Sequence, residues 1–218
     1  MTNRQVIKKV ADLVKQKFAG EGSGHDWYHI ERVWKNVKLI AKSEKGANMV
    51  VVELGALLHD IADWKFHDGD LTAGPREANK ILTPLKVKPV IVEKVCYIVE
   101  HVSFKGSKVK DVMEGLEGQI VQDADRLDAM GAVGIARCFA YGGYKNRPLY
   151  IPGQKIRSPK SFEDYKKGEA SSVNHFYEKL LLLKDRMHTK TAKKLAARRH
   201  KFMKNYLKQF FSEWEGLR

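Results

Sequence analysis

The sequence predicts an all-α, bundle-like fold, and three observations carry that expectation. Apolar residues recur at i, i+3 and i+4 along most of the chain, which is the period of one buried helix face. No stretch alternates as a half-buried strand would; even VKPVIVEKV (87–95), rich in valine, follows the helical spacing. Glycine and proline punctuate the pattern at Gly20–Gly24, Gly74–Pro75 and Pro89. The chain has 218 residues, 43% of them hydrophobic, enough for one sizeable core. The expected organisation is a single domain over 1–218, with an N-terminal helix 3–18 and a basic C-terminal helix 189–214 packed on it. There is no internal repeat, P-loop, GxGxxG turn or cysteine-based zinc spacing.

The elements follow in order. Val6, Val10, Leu13 or Val14, and Phe18 stripe a first helix, Asn3 to Phe18. Ile30, Val33, Val37 and Ile40 stripe a second, from about Asp26 to Lys42, with His29 near its buried face. A third helix, from Met49 to about Ile61, delivers His59 and Asp60. DWKFHDGD follows as an acidic, aromatic loop. Pro75 sits at the start of a fourth helix ending near Leu82, as proline does at first helical positions. Pro89 opens a fifth, reaching about Val102 with His101 at its end. A long helix is expected from Glu117 to Tyr141, then a glycine-rich loop from Gly142 to Pro159, functional or mobile because it is long for a plain connection. SFEDYKKG reads as a short helix. Ala170–Met187 and Thr189–Trp214 read as the last two helices.

Charge and cysteine content narrow the partners. There are 40 Lys and Arg against 26 Asp and Glu, a formal net charge of +14. That excess favours anionic partners, whether small phosphorylated compounds or polynucleotides. Nine Lys or Arg and no acidic residue lie between Arg186 and Lys208; a solvated face, substrate steering and a nucleic-acid footprint all account for such a run. Cys96 and Cys138 sit in apolar helical patterns and read as free core thiols of a reducing compartment. No segment reads as a membrane span or a signal peptide, so the expected location is cytoplasmic, with no membrane partner.

The residues that stand out chemically are polar groups in apolar surroundings. His59 and Asp60 end the apolar run ELGALL. Two adjacent helical positions lie about 100° apart, so both side chains can lean on one small object. A metal ion accepts imidazole nitrogen and carboxylate oxygen together; a structural hydrogen-bonded pair is the competing account. His25, Asp26 and His29 form a second polar group. Asp123, Asp125 and Asp128 lie in the otherwise apolar run EGQIVQDADRLDAMG. Either a metal or an Asp–Arg network, with Arg126 as partner, would keep such carboxylates from being buried unpaired.

HDWYHIERV, LLHDIADWK and QDADRLDA, in that order in a helical chain, resemble the HD-domain family of metal-dependent phosphohydrolases. DADRLDAMGAVGIARCFAYGG and SSVNHFYEKLLLLKDRM extend the likeness to the small stand-alone branch that includes bacterial nucleoside triphosphate pyrophosphohydrolases. The resemblance covers most of residues 20 to 215 and implies an HD-domain helical bundle. It implies His29, His59, Asp60 and Asp125 as ligands of a divalent ion, with Asp123 the fallback for the last. The ion would be Mn²⁺ or Mg²⁺ first, with Co²⁺, Ni²⁺ or Zn²⁺ as alternatives.

The resemblance also implies roles around that ion. Asp63, three positions past the doublet, is expected to assist water activation, with orienting a ligand histidine as its competing role; Asp68 is a second acidic position. By their charge and their proximity to the motifs, Lys65, His101, Lys105 and Arg126 are expected to neutralise phosphoryl charge, although His101 also suits a second metal site or a helix cap. Tyr141 and Lys145, with Tyr144 and Arg147, are expected to meet the base and sugar, and His175 and Lys179 to contact phosphate. The activity implied is hydrolysis of a small anionic nucleotide, a (deoxy)nucleoside triphosphate cleaved to monophosphate and pyrophosphate. Alternatives are 5′-nucleotidase action on monophosphates and cyclic-nucleotide phosphodiesterase action. A protein that binds nucleic acid through the basic C-terminal helix is the alternative of another class. Monomer and homodimer stay equally open.

Overall fold

Helix starts in this chain are set by small polar side chains placed one residue ahead of them. Thr2 and Gln5 form a reciprocal capping box at the first helix, α1 (Asn3–Lys17). Asp26 caps α2 (Trp27–Ala41), Asn48 caps α3 (Met49–Leu58), Ser171 caps α9 (Ser172–Glu178) and Thr189 caps α10 (Lys190–Trp214). Each cap satisfies an N–H that the first helical turn leaves without a partner. Pro89 opens α5 (Pro89–His101), where its missing N–H costs nothing. The remaining helices are α4 (Ala73–Leu82), α6 (Leu116–Asp128), α7 (Gly131–Tyr144) and α8 (Phe162–Lys166). The computed structural model describes residues 1–20, 26–62, 69–166 and 171–217, and these form an all-α bundle with no strand among them.

The chain divides into two compact units, residues 1–104 with 111–125, and residues 105–110 with 126–218. In the first unit α3 is the central element. Val51, Val52, Leu54, Ala56, Leu57 and Leu58 are all buried, because α1, α2 and α5 pack around it. Gly55 lets α5 and α6 come close to α3: a Cβ there would lie 3.2 Å from Val121 and 3.4 Å from Ile98. Burial of each such aliphatic side chain stabilises the fold by about 1.5–3 kcal/mol, so this helix is the most firmly fixed platform in the unit.

In the second unit α7, α9 and α10 pack together with a 3₁₀ segment, Leu180–Arg186. Phe176 is fully buried and stacks on Tyr206 at 6.0 Å, and Phe139, Phe210, Tyr150 and Trp214 continue the aromatic cluster.

Two helices expected to be continuous are broken. The expected helix 117–141 divides into α6 and α7, because Met130 is extended (φ −122°, ψ 159°) and Gly131 takes φ +74°. Only glycine adopts that left-handed backbone without strain. The expected helix 170–187 ends at Glu178, because Lys179 leaves the helical region at φ −139°, ψ −63°. The four leucines that follow form the 3₁₀ segment, whose three-residue period buries Leu180 and Leu183 together.

The glycine-rich loop also differs from its expectation. Its first residues complete α7, and the next are strapped to α9: Ser172 and Val173 N–H donate to the Pro148 and Leu149 carbonyls at 2.9 Å each. Ser171 Oγ donates to Gln154 at 2.8 Å, and Asn174 donates to the Lys155 carbonyl. The basic run is likewise not all solvated. Arg186 donates to the Ser107 carbonyl and Arg199 to the Leu127 carbonyl. Cys96 and Cys138 are free thiols, as expected, and burial pushes Cys138 up to about 12.

Candidate metal centre

Three elements of the first unit present polar side chains to one point. Asp26 Oδ1 accepts from the His29 N–H at 2.7 Å, which fixes the first turn of α2 and with it His29. His59 is the cap residue just past α3, still helical in backbone (φ −57°, ψ −33°), and Asp60 follows in the turn. Asp125 projects from α6, one turn before that helix ends.

The distances are short on every side. His29 Nε2 lies 3.1 Å from His59 Nε2, 3.3 Å from Asp60 Oδ2 and 3.6 Å from Asp125 Oδ1. His59 Nε2 lies 3.6 Å from Asp60 and 3.8 Å from Asp125. Donors about 2.1 Å from a shared ion stand roughly 3.0–3.4 Å apart when adjacent, so these spacings approach one coordination sphere. Hydrogen bonding alone accounts for less: only the His–His separation falls within the usual N–H···acceptor range.

The ring orientation of His59 supports the same reading. Its Nδ1 donates to the Ala56 carbonyl at 2.8 Å, so the Nε2 of the neutral ring carries the lone pair, and Nε2 is the atom facing the cluster. A histidine that binds a metal through one nitrogen is commonly held this way through the other. His29 and His59 are almost fully buried, Asp60 is 9% exposed and Asp125 is half-buried. Imidazole nitrogens and carboxylate oxygens are donors that a divalent cation takes together. The donor set therefore fits a divalent ion, and His29, His59 and Asp125 form a cluster whose donor atoms lie within 4.8 Å of one another. The described cluster contains Asp125 and not Asp123, which is fully buried.

The other expected site residues fall in three groups. His25, Asp63, Lys65 and Asp68 lie outside the described residues. In the first unit His101 ends α5, stacked on Tyr97 at 4.2 Å between ring centroids, with its Nδ1 donating to the Tyr97 carbonyl at 2.8 Å. A cleft beside His59 is lined by Leu71, Gly74, Val99, Glu100 and Ser103. In the second unit Arg126 is 2% exposed and donates to the Arg186 carbonyl. Lys145 caps α7 with its ammonium 5.2 Å from the Tyr144 ring centre and 5.9 Å from that of Tyr141, and Arg147 lies 5.6 Å from Tyr141. Lys105 is half-buried. His175 and Lys179 are four residues apart, but Lys179 is the non-helical cap of α9, so they share that helix only through the Lys179 N–H bond to the His175 carbonyl at 3.0 Å.

Of the two supporting groups, Asp26 was expected at the site beside His25 and His29 and acts as a helix cap, and the Ala56 carbonyl had no place among the expected site residues. Asp26 was legible as an N-cap, since an Asp directly before a helical stripe is the usual capping residue. The Ala56 carbonyl carries no sequence signal, because any residue supplies one.

Comparison with known proteins agrees with this geometry. The HD domain model matches residues 26–130, a span that contains all four clustered side chains. Bacillus subtilis YpgQ, an uncharacterised protein, is 36% identical over the whole of this chain and 98% of its own. A crystal structure of YpgQ in complex with ADP superposes with a TM-score of 0.75 at 33% identity, covering 98% of this chain and 97% of that one. An HD-superfamily hydrolase from Bacillus thuringiensis is 40% identical, with 98% and 99% coverage and a TM-score of 0.73. A Lactobacillus plantarum protein of known structure matches at TM-score 0.87 and 35% identity over 99% of this chain and all of its own. Similarity at that level along the full chain, around a His, His and Asp cluster built to hold a cation, places this protein in the HD-domain family of metal-dependent phosphohydrolases.

Proposed function

We propose that the protein hydrolyses a phosphate bond of a nucleotide, converting a (deoxy)nucleoside triphosphate to its monophosphate and pyrophosphate. The convergence of His29, His59 and Asp125, with Asp60 beside them, carries the hydrolytic part of this reading. The ADP complex of a 33% identical relative supports the nucleotide part. Two imidazoles with two carboxylates suit Mn²⁺ better than Mg²⁺, which prefers oxygen donors throughout.

When bound, the divalent ion acidifies a water and polarises the phosphoryl group. The chain's own residues then divide the remaining work. His29, His59, Asp60 and Asp125 hold the ion, with His59 kept in the binding tautomer by Ala56. Asp63 accepts the proton of the attacking water and Asp68 assists it. Lys65, His101, Lys105 and Arg126 offset phosphoryl charge, Tyr141 and Lys145 receive the base and sugar, and His175 and Lys179 hold the distal phosphates. The excess of 40 basic over 26 acidic residues suits so anionic a substrate.

Product analysis tests the proposal. Metal-stripped protein is reloaded separately with Mn²⁺, Mg²⁺, Co²⁺ and Zn²⁺ and offered nucleoside mono- and triphosphates and cyclic nucleotides. Pyrophosphate with monophosphate, fastest with Mn²⁺, is the expected result. Orthophosphate from a monophosphate would replace it with nucleotidase action, and a ring-opened monophosphate with phosphodiesterase action.

A further inference from the structure

Helix α10 leaves one strongly basic face without any function in the reaction above. Its other face is used in packing: Ala192, Ala196, Met203 and Leu207 are buried against α7 and the 3₁₀ segment. Of the nine basic residues from Arg186 to Lys208, Arg186 and Arg199 are turned to backbone carbonyls. The remaining seven, Lys190, Lys193, Lys194, Arg198, Lys201, Lys204 and Lys208, are all exposed. At about 100° per residue they fall within roughly 140° of the helix circumference, with Lys190, Lys194, Lys201 and Lys208 inside about 40°. The row from Lys190 to Lys208 is about 27 Å long at 1.5 Å per residue.

None of the seven makes an ion pair among the described residues. The first acidic residue of α10 is Glu213, beyond the end of the row. The field is felt locally: burial pushes His200 below its ordinary value, and the charges of Lys184 and Lys204 push it further the same way.

We infer that the exposed face of α10 is a docking surface for the phosphate backbone of a nucleic acid, bound without reading its bases. The inference is independent of the hydrolytic reading. Length argues for a polymer, because a nucleotide triphosphate is far shorter than a 27 Å row. Composition argues against base readout: six of the seven cations are lysines, which act on phosphate as point charges rather than as bidentate forks. A membrane surface fits less well. An interfacial helix inserts an apolar face, and the apolar face of α10 is already consumed in packing, with Phe202 the one large exposed apolar residue within the row.

Fluorescence anisotropy with the Mn²⁺-loaded full chain and a labelled 20-base-pair duplex tests this. Four to seven neutralised phosphates give a log–log salt slope of about −3.5 to −6. The triple variant Lys194→Glu, Lys201→Glu, Lys208→Glu is expected to weaken binding by at least about 100-fold. The control Lys8→Glu, Lys9→Glu, Lys15→Glu changes net charge equally on exposed positions of α1 and is expected to lose less than about 3-fold. Both variants keep the wild-type circular dichroism and nucleotide turnover; a Lys→Gln version of the α10 triple replaces the Glu version if that one unfolds. Equal losses in the two triples would reduce the effect to net charge and overturn the proposal. So would a slope shallower than −1, or binding confined to phosphatidylserine vesicles and lost in the α10 triple.

Discussion

Asp125 and Asp128 sit one turn apart on the same helix, and their surroundings differ in the kind of cation that meets them. Asp128 is buried and pairs with Arg137 at 3.1 Å. Arg199 stands close enough for the Asp128 charge to oppose the effect of burial, which pushes that guanidinium below its ordinary value. Arg199 also donates to the Leu127 carbonyl at the end of α6, where a positive charge suits the helix dipole. Among the described residues, Asp125 meets the two histidines in its ion pairs. An arginine brings a permanent charge of its own; a neutral imidazole brings a lone pair. The first arrangement carries its own counter-charge, and the second is a donor set that fits a divalent cation.

The comparison breaks most sharply at His59. His59→Ala is expected to lower metal affinity and turnover by well over 100-fold, more than loss of a supporting partner usually costs. The metal-free variant should melt no lower than metal-free wild type, since a crowded donor set is relieved. Added Mn²⁺ at 100 times its Kd should stabilise wild type by about 2.7 kcal/mol and leave the variant unmoved. Metal titration followed by calorimetry reads both. Unchanged turnover would refute the metal centre.

Arg137→Met probes the other side. Breaking a buried ion pair from one end costs about 3 kcal/mol or more, so the urea midpoint should fall markedly while metal affinity of the folded fraction holds. A large loss of Mn²⁺ affinity with intact stability would instead mean that the Asp128 network tunes the centre.

Asp26→Ala has a smaller effect on both axes. Losing the N-cap costs about 1 kcal/mol of stability. Because the lost bond is to the His29 N–H, metal affinity should also drop about tenfold. Asp26→Asn, which can still cap, should restore most of both, and calorimetric Mn²⁺ titration of the pair would show it.

The sequence made the Asp125 side legible and hid the Asp128 side. His29, the His59–Asp60 doublet and Asp125 lie in three short blocks, and it was the resemblance of those blocks, in that order, to the HD-domain family that implied their convergence. Arg126 was the natural partner for a neighbouring Asp, and its guanidinium also donates to the Arg186 carbonyl sixty residues away, a contact that no local pattern shows. The cations at Asp128 are Arg137, across the break at Gly131, and Arg199, inside a run that reads as uniformly solvated. That break was itself missed, because Met130 and Ile135 continue the apolar stripe and only backbone geometry at Gly131 ends the helix. The starts of α1, α2, α4 and α5 fall within about two residues of where the apolar stripes and the prolines put them, since local signals decide such ends.

The smallest effect expected is a pH dependence at Glu178, the third kind of buried carboxylate in the chain. It is 4% exposed, and its Oε1 has no hydrogen-bond partner among the described residues. Burial raises its pKa above the ordinary carboxylate value, and Arg157, through charge and its backbone N–H, and then Arg147 pull the other way without cancelling it. A group whose folded pKa is raised contributes most below its unfolded value, about 4.3 for glutamate, and loses that contribution as pH rises through the folded value. Glu178→Gln removes the charge that burial disfavours. The variant should therefore be more stable than wild type at pH 8, and the gap in urea midpoint should close as pH falls, vanishing below about pH 4. A gap that widened toward acid would show that the Arg157 and Arg147 charges outweigh burial, making Glu178 a carboxylate of the Asp128 kind.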